Sequence, residues 1–205
     1  MASKPKETKL SYELGQLELF AGTSFTGRLL DSDIIINLQR AAAPAGRNLP
    51  EEKDDYTRAD VFVRDLGRRE PLAVSYVSLF EVIDPRRAPK SDPNRPLDPL
   101  SVAERARMYE HLELLKQYNI RVIGMDEEIF SLAMDVWFES RQGRFGNIRD
   151  TALLDPMIAA TAIVRGMEFL TVNSKHFEPF RNHYGSSFKL REVAESGGYL
   201  KLKTP

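Results

Sequence analysis

Arg28-Leu-Leu-Asp-Ser-Asp-Ile-Ile-Ile-Asn-Leu38 is the stretch on which the fold turns. Leu29 and Leu30 read as a short strand running into Asp31, and Ile34 to Leu38 either begin a helix or continue the buried segment. A carboxylate in such apolar company is costly unless its charge is compensated. The chain repeats the situation twice, with Glu81 in Val77-Ser-Leu-Phe-Glu-Val-Ile83 and Asp155 in Leu153-Leu-Asp-Pro-Met-Ile-Ala-Ala-Thr-Ala-Ile163. One explanation covers all three acids: they converge in the fold around a divalent metal ion.

Working outward from this stretch, strand-like and helix-like segments alternate. Leu72-Ala-Val-Ser-Tyr-Val77 has the β-branched and aromatic content of a strand. Ser78-Leu-Phe-Glu81 has capping-box spacing, with Ser78 as N-cap and Glu81 at the third helical position. A longer helix is expected from Ser101-Val-Ala-Glu104 through Leu112 and Leu115, followed by a strand at Ile120-Arg-Val-Ile-Gly124. Asp126 caps a helix whose apolar side includes Ile129, Phe130, Ala133, Val136 and Trp137, and Gly143 closes it. Asp155-Pro156 opens another helix, Phe169-Leu-Thr-Val172 makes a final central strand, and Phe188-Lys-Leu-Arg191 adds one strand in the tail. Strands alternating with helices predict an α/β fold around a mostly parallel sheet. Residues 1–27 read as an N-terminal arm, with Leu10, Leu14 and Leu17 at helical spacing. Residues 28–192 read as the domain, with a loop insertion at 41–59, and residues 193–205 as a C-terminal tail.

Composition narrows the chemistry. The 205 residues suit one domain, and 42% hydrophobic with 29% charged residues is ordinary for a globular protein. The apolar runs fall short of the ~20 residues that span a bilayer, and no apolar segment follows the basic N-terminus as in a secretory signal. The absence of cysteine excludes disulfides, thiolate zinc sites and thiol nucleophiles; a cytoplasmic location fits best. A net charge of −1 excludes indiscriminate coating of nucleic acid but leaves room for a local basic groove. His111, His176 and His183 lack metal-ligand spacing and read as surface or loop residues. Phosphate-loop and nucleophile-elbow motifs are both missing.

Each acid carries a structural reading beside the functional one. Asp31 ends a strand, so it either caps the next helix or lies at the rim where open parallel sheets bind ligands. Asp33, two residues on, suggests a shared cation. Glu81 either closes its capping box or, inside a helix apolar on most sides, faces a buried site. Asp155 reads as the N-cap before Pro156, but Ile158, Ala159, Ala162 and Ile163 follow on its own face, which puts the acid at a core-facing corner.

In order along the chain, Leu29-Leu-Asp-Ser-Asp-Ile-Ile-Ile36, Ala73-Val-Ser-Tyr-Val-Ser-Leu-Phe-Glu81, Asp155-Pro-Met-Ile-Ala-Ala-Thr-Ala162 and Phe169-Leu-Thr-Val-Asn-Ser-Lys-His-Phe177 resemble the PIN-domain nucleases, especially the toxin half of VapBC-type toxin–antitoxin pairs. The resemblance implies a three-layer α/β/α fold with Asp31, Glu81 and Asp155 gathered at one end of the sheet. It implies Mg²⁺ or Mn²⁺ as cofactor and hydrolysis of RNA phosphodiester bonds by a metal-activated water. Asp31 and Asp155 would be the main ligands, with Glu81 on a second ion or on the attacking water. Many members have Asn where this chain has Asp33, and some carry a fourth acid where it has Asn173; Asn173 and Thr171 are then supporting residues. The resemblance also implies a homodimer and a cognate antitoxin. Arg86, Arg87 and Arg144 are candidates for RNA phosphate contact. Two alternatives remain: a non-catalytic PIN-like RNA-binding or scaffold protein, and a phosphatase using Asp31 as nucleophile, since Asp31-Ser-Asp33 resembles the Asp-x-Asp of haloacid-dehalogenase-like enzymes but lacks their partner motifs.

Overall fold

The computed structural model describes residues 26–42, 56–83, 102–143 and 154–204; the side chains of 42, 80, 81, 83 and 102–109 are not among those described. Strand β1 (Arg28–Leu30) leads into helix α1 (Ser32–Ala42), and β2 (Thr57–Arg58) into α2 (Ala59–Arg69). Strand β3 (Leu72–Ser75) leads directly into α3 (Tyr76–Ile83). Then come α4 (Val102–Gln117), β4 (Ile120–Ile123), α5 (Glu127–Arg141) and α6 (Leu154–Val164). The described chain finishes with β5 (Glu168–Thr171), α7 (Ser174–Tyr184), β6 (Lys189–Ser196) and β7 (Tyr199–Leu202).

The seven strands form one sheet in the order β2-β7-β6-β5-β1-β3-β4. β1 pairs in parallel with both β3 and β5, β3 with β4, and β5 with β6. β7 is antiparallel to β6 and to β2. The expected mostly parallel α/β/α architecture is therefore present, and its physical cause is visible in the strands. Successive side chains of a strand point to opposite faces. Leu30, Leu72, Val74, Val122 and Leu170 accordingly enter one core with α1, α2, α3 and α4. Leu29, Ala73, Ile123 and Phe169 enter the other with α5, α6 and α7. Both faces of the central strands are covered, so the inner positions of β1, β3 and β5 are apolar, while Arg28, Ser75, Glu168 and Thr171 fall at the strand ends.

Two features of the second core position the site. Ala159, Ala160 and Ala162 are fully buried on α6, so this helix lies close to both the sheet and α5. Phe169 of β5 meets Phe177 of α7 edge-on at 4.6 Å and stacks with Phe188 at 5.8 Å, which clamps α7 to the end of β5.

Several boundaries differ from the sequence reading. The supposed insertion gives up both its ends to regular structure, since α1 runs through Ala42 and α2 starts at Ala59; residues 43–55 lie outside the described residues. Helix α2 was not anticipated, although Ala59, Val63 and Leu66 are its buried face. Residues 193–202, expected as tail, complete β6 and form β7 around the Gly197-Gly198 turn. Both glycines have positive φ there, as a tight hairpin connection requires. Asp126 caps α5 as expected, accepting from the Ile129 backbone N–H at 3.1 Å, and Gly143 follows that helix with φ of 73°.

Candidate functional site

The chain runs β1, β3, β4 toward one side of the sheet, then places β5 and β6 on the other side of β1. β1 and β5 therefore form a topological switch point. Their outgoing helices leave on opposite faces, α1 toward one core and α7 toward the other. A crevice opens between such helices at the carboxyl ends of the strands. Asp31 stands at this place. Its backbone N–H extends the pairing of β1 with β5 by donating to the Leu170 carbonyl at 2.9 Å.

The Asp31 side chain is 4% exposed and held from both sides. Oδ1 accepts from the Ser32 backbone N–H at 2.8 Å and from the Ser32 hydroxyl at 3.3 Å. Oδ2 accepts from the Thr171 hydroxyl at 2.6 Å. Thr171 ends β5 and is itself fully buried; its Oγ1 also accepts from the Asn173 backbone N–H at 2.9 Å. One threonine thus fixes the carboxylate of β1 and the turn leading into α7. Its supporting place, expected from the resemblance, has a direct geometric content.

Asp33 and Asp155 each occupy the first turn of a helix that begins at this carboxyl edge, α1 and α6. The Asp155 carboxyl is pushed above the ordinary carboxylate range, first by burial and then by the charge of Asp33, while His176 acts in the opposite sense. Asp33 is raised likewise, by burial and by Glu195 of β6, against His176 and Arg40. Asp33, Asp155 and His176 therefore lie within one another's electrostatic reach. Asp155 is the second residue of α6 and not its N-cap, because the helix already starts at Leu154.

The capping box predicted at Ser78 is not formed. Helix α3 begins two residues earlier, and the Ser75 hydroxyl accepts from the Val77 backbone N–H at 3.2 Å. Ser78 falls inside the helix, fully buried, with no hydrogen-bond partner for its hydroxyl among the described residues. Glu81 follows one turn later on α3, whose start lies at the carboxyl edge, and so loses the structural role assigned to it. The side chain of Glu81, and the whole of Arg86, Arg87 and Arg144, lie outside the described residues.

His176 was read as a plain surface residue, and the structure puts it at the site. It occupies the first turn of α7, exposed, with Nδ1 3.2 Å from the Asn173 side-chain Nδ2. Its three-residue spacing from Asn173 was the available signal. The other two histidines are engaged elsewhere, His111 with Gln39 and His183 with Glu139 at 3.4 Å.

The oxygen-only donor set of Asp31, Asp155 and Glu81 is of the kind that hard divalent cations prefer. Among the described residues, no three His, Cys, Asp or Glu side chains already stand together as a metal cage. No helix among the described residues is long and apolar enough to cross a membrane.

No protein-family model and no curated protein sequence matches the chain. Solved structures do. The crystal structure of VapBC2 from Rickettsia felis, bound to a DNA fragment from their promoter, matches with a TM-score of 0.51 at 13% identity, over 80% of this chain and 97% of that one. FitAcB from Neisseria gonorrhoeae matches at 0.49 and 17% identity over 80% and 95% of the two chains. A toxin–antitoxin complex from Klebsiella pneumoniae matches at 0.41 and 20% over 73% and 89%. At such identities the likeness is one of backbone arrangement, and the shared fold rests on the Rickettsia felis structure.

Proposed function

We propose that this chain is a divalent-metal-dependent endoribonuclease and the toxin member of a VapBC-type toxin–antitoxin pair. The observation that carries the reading is Asp31, buried at the switch point of the sheet and tied to Thr171 of the neighbouring strand. Two further acids, Asp33 and Asp155, share its edge with their charge disfavoured by burial. Carboxylates so placed fit a cation that offsets them. The buried hydroxyl of Ser78, one turn before Glu81 and without a partner among the described residues, also fits a polar occupant on that side.

Asp31 and Asp155 would hold Mg²⁺ or Mn²⁺, and Glu81 would hold a second ion or orient the attacking water. When bound, such an ion offsets the charge that grows on phosphate and leaving oxygens and eases deprotonation of water. The chain's own residues then do the positioning. Thr171 and Ser32 fix the Asp31 carboxylate, so its oxygens do not have to be ordered when RNA arrives. Helices α1, α6 and α7 turn the positive ends of their dipoles to the same edge, which favours a phosphodiester there. An antitoxin partner belongs to this reading, in keeping with the likeness of fold to the VapBC2 structure from Rickettsia felis; on this reading the protein acts in the cytoplasm, as a homodimer.

Incubation of the purified protein with single-stranded RNA tests the reading. Cleavage is expected with Mg²⁺ or Mn²⁺ and not with EDTA, and Mg²⁺ should raise Tm in the wild type but not in Asp155→Asn. RNA left intact under every divalent cation, with Tm unmoved, refutes the proposal. That outcome would favour a non-catalytic RNA-binding protein of the same fold.

A further inference from the structure

We propose that His176 is a substrate-contact residue of this site, its Nε2–H donating a hydrogen bond to a non-bridging oxygen of the RNA phosphate held beside Asp31 and Asp155. The inference rests on the ribonuclease reading and adds to it a residue outside the acidic set.

The chemistry of the edge calls for such a group. Asp31, Asp33 and Asp155 are acceptors when ionised, and a phosphodiester is another acceptor. A donor able to meet it must come from elsewhere. Among the described cations near the site, Arg40 lies 3.6 Å from Glu195, and Lys175 acts on Glu192. His176 is the described side chain near enough to act on both Asp33 and Asp155.

Its geometry suits the role. An amide Nδ2 only donates, so the contact from Asn173 at 3.2 Å makes Nδ1 of the ring an acceptor and leaves the proton on Nε2. Asn173 sits at the N-cap of α7, and its backbone is tied to Thr171, the residue that holds Asp31. The ring is thus connected to the acid by two hydrogen-bonded residues. It is also borne on a firm support, because its neighbour Phe177 and then Phe180 are buried in the aromatic cluster. His176 itself is exposed and has no packing duty.

The test compares wild type, His176→Phe, which keeps a planar ring without a donor, and His176→Gln, whose amide places a donor near the position of Nε2. Substitution at an exposed site should leave Tm unchanged in both. With Mg²⁺ present, kcat/KM for a single-stranded RNA is expected to fall about tenfold to thirtyfold in His176→Phe and to recover most of that loss in His176→Gln. Wild-type cleavage by His176→Phe overturns the proposal, and so does a Gln variant as impaired as the Phe variant. If the wild type cuts no RNA, the ribonuclease reading has failed, and binding decides this inference alone. Fluorescence anisotropy with a labelled mixed-sequence 12-mer oligoribonucleotide should show weaker binding by His176→Phe and recovery in His176→Gln; equal binding by all three proteins overturns it.

Discussion

Arg28 and Asp31 stand at the two ends of the three-residue strand β1, and the molecule treats their charges in opposite ways. At the amino end, the Arg28 guanidinium donates to both Glu70 carboxylate oxygens, at 2.6 and 2.8 Å, and lies 3.0 Å from Glu168. Arg191 stands 3.7 Å from that same Glu168. Opposite charges alternate across three strands. At the carboxyl end, burial raises the proton affinity of Asp155 and Asp33, and acid meets acid: Asp33 adds to the shift of Asp155 and Glu195 to that of Asp33, against the pull of His176. Sequence near each end supplies cations and anions alike, so the contrast is one of arrangement. One edge is built so that folding satisfies its charges; the other leaves a deficit of positive charge that a ligand can fill.

The largest expected effect breaks the active edge alone. Asp155→Asn should lower RNA cleavage by at least about a thousandfold. Because burial disfavours its charge, the same change should leave Tm equal or higher. Unaltered cleavage in a gel-based assay would show that the acidic edge is not the catalytic one. Next, Arg28→Met attacks the opposite edge and leaves Glu70 and Glu168 without their shared cation. Urea denaturation should report a loss of about 2 kcal/mol, with the cleavage rate per folded molecule unchanged. A matching fall in rate would mean that the two edges are coupled through β1.

Thr171→Val removes a donor to Asp31 and an acceptor for the Asn173 N–H. It should cost about 1 to 2 kcal/mol in stability and roughly tenfold in cleavage, both measured on one preparation. A stability loss without a kinetic one would reduce Thr171 to a structural role. The smallest effect separates the edges by pH. Asp33 and Asp155 have raised carboxyl pKa values, so the native state binds more protons than the unfolded state once pH exceeds about 4. Their contribution is then favourable at low pH and is lost as pH rises through the native values. Asp126 is lowered, by the Ile129 backbone N–H and then by Arg165, so its contribution runs the other way and fades as pH falls. Tm profiles of Asp33→Asn and Asp126→Asn against wild type should therefore diverge with opposite slopes, the first as pH rises above about 4 and the second as pH falls below about 4. Parallel profiles would contradict the assignment.

How much was readable from the chain follows the same physics. Strands β1, β3 and β5 were legible because a strand buried on both faces carries a short apolar run, and β4 because Arg121 alone interrupts Ile120, Val122 and Ile123. Their acids stood out against that background. Helix α2 was missed although Ala59, Val63 and Leu66 keep helical spacing, because the polar, proline-bearing stretch before it drew the boundary too far. β7 was missed although Gly197-Gly198 followed by Tyr-Leu-Lys-Leu is a hairpin signal. Ser78 was taken for a cap because its spacing to Glu81 fitted, but Ser75 offered the same chemistry one turn earlier, and β3 ends there. His176 was passed over since the search was for metal-ligand spacing, whereas its bond runs to an amide. Which loops and helix starts meet at one sheet edge is a property of strand order, and strand order is not written in any local pattern.

The two-residue strand β2 has a consequence of its own. It covers the outer side of β7, pairing Thr57 with Leu200 and Arg58 with Tyr199. Arg58 then reaches across to the Ala41 carbonyl at the end of α1 and to Asp60 at 3.1 Å. A sheet that ended on β7 would offer an incoming chain a full rim of backbone donors and acceptors. Ending on this side on two residues, one of them an anchored arginine, it presents there almost no template for a foreign strand. On this side the sheet is thereby guarded against pairing with a stranger.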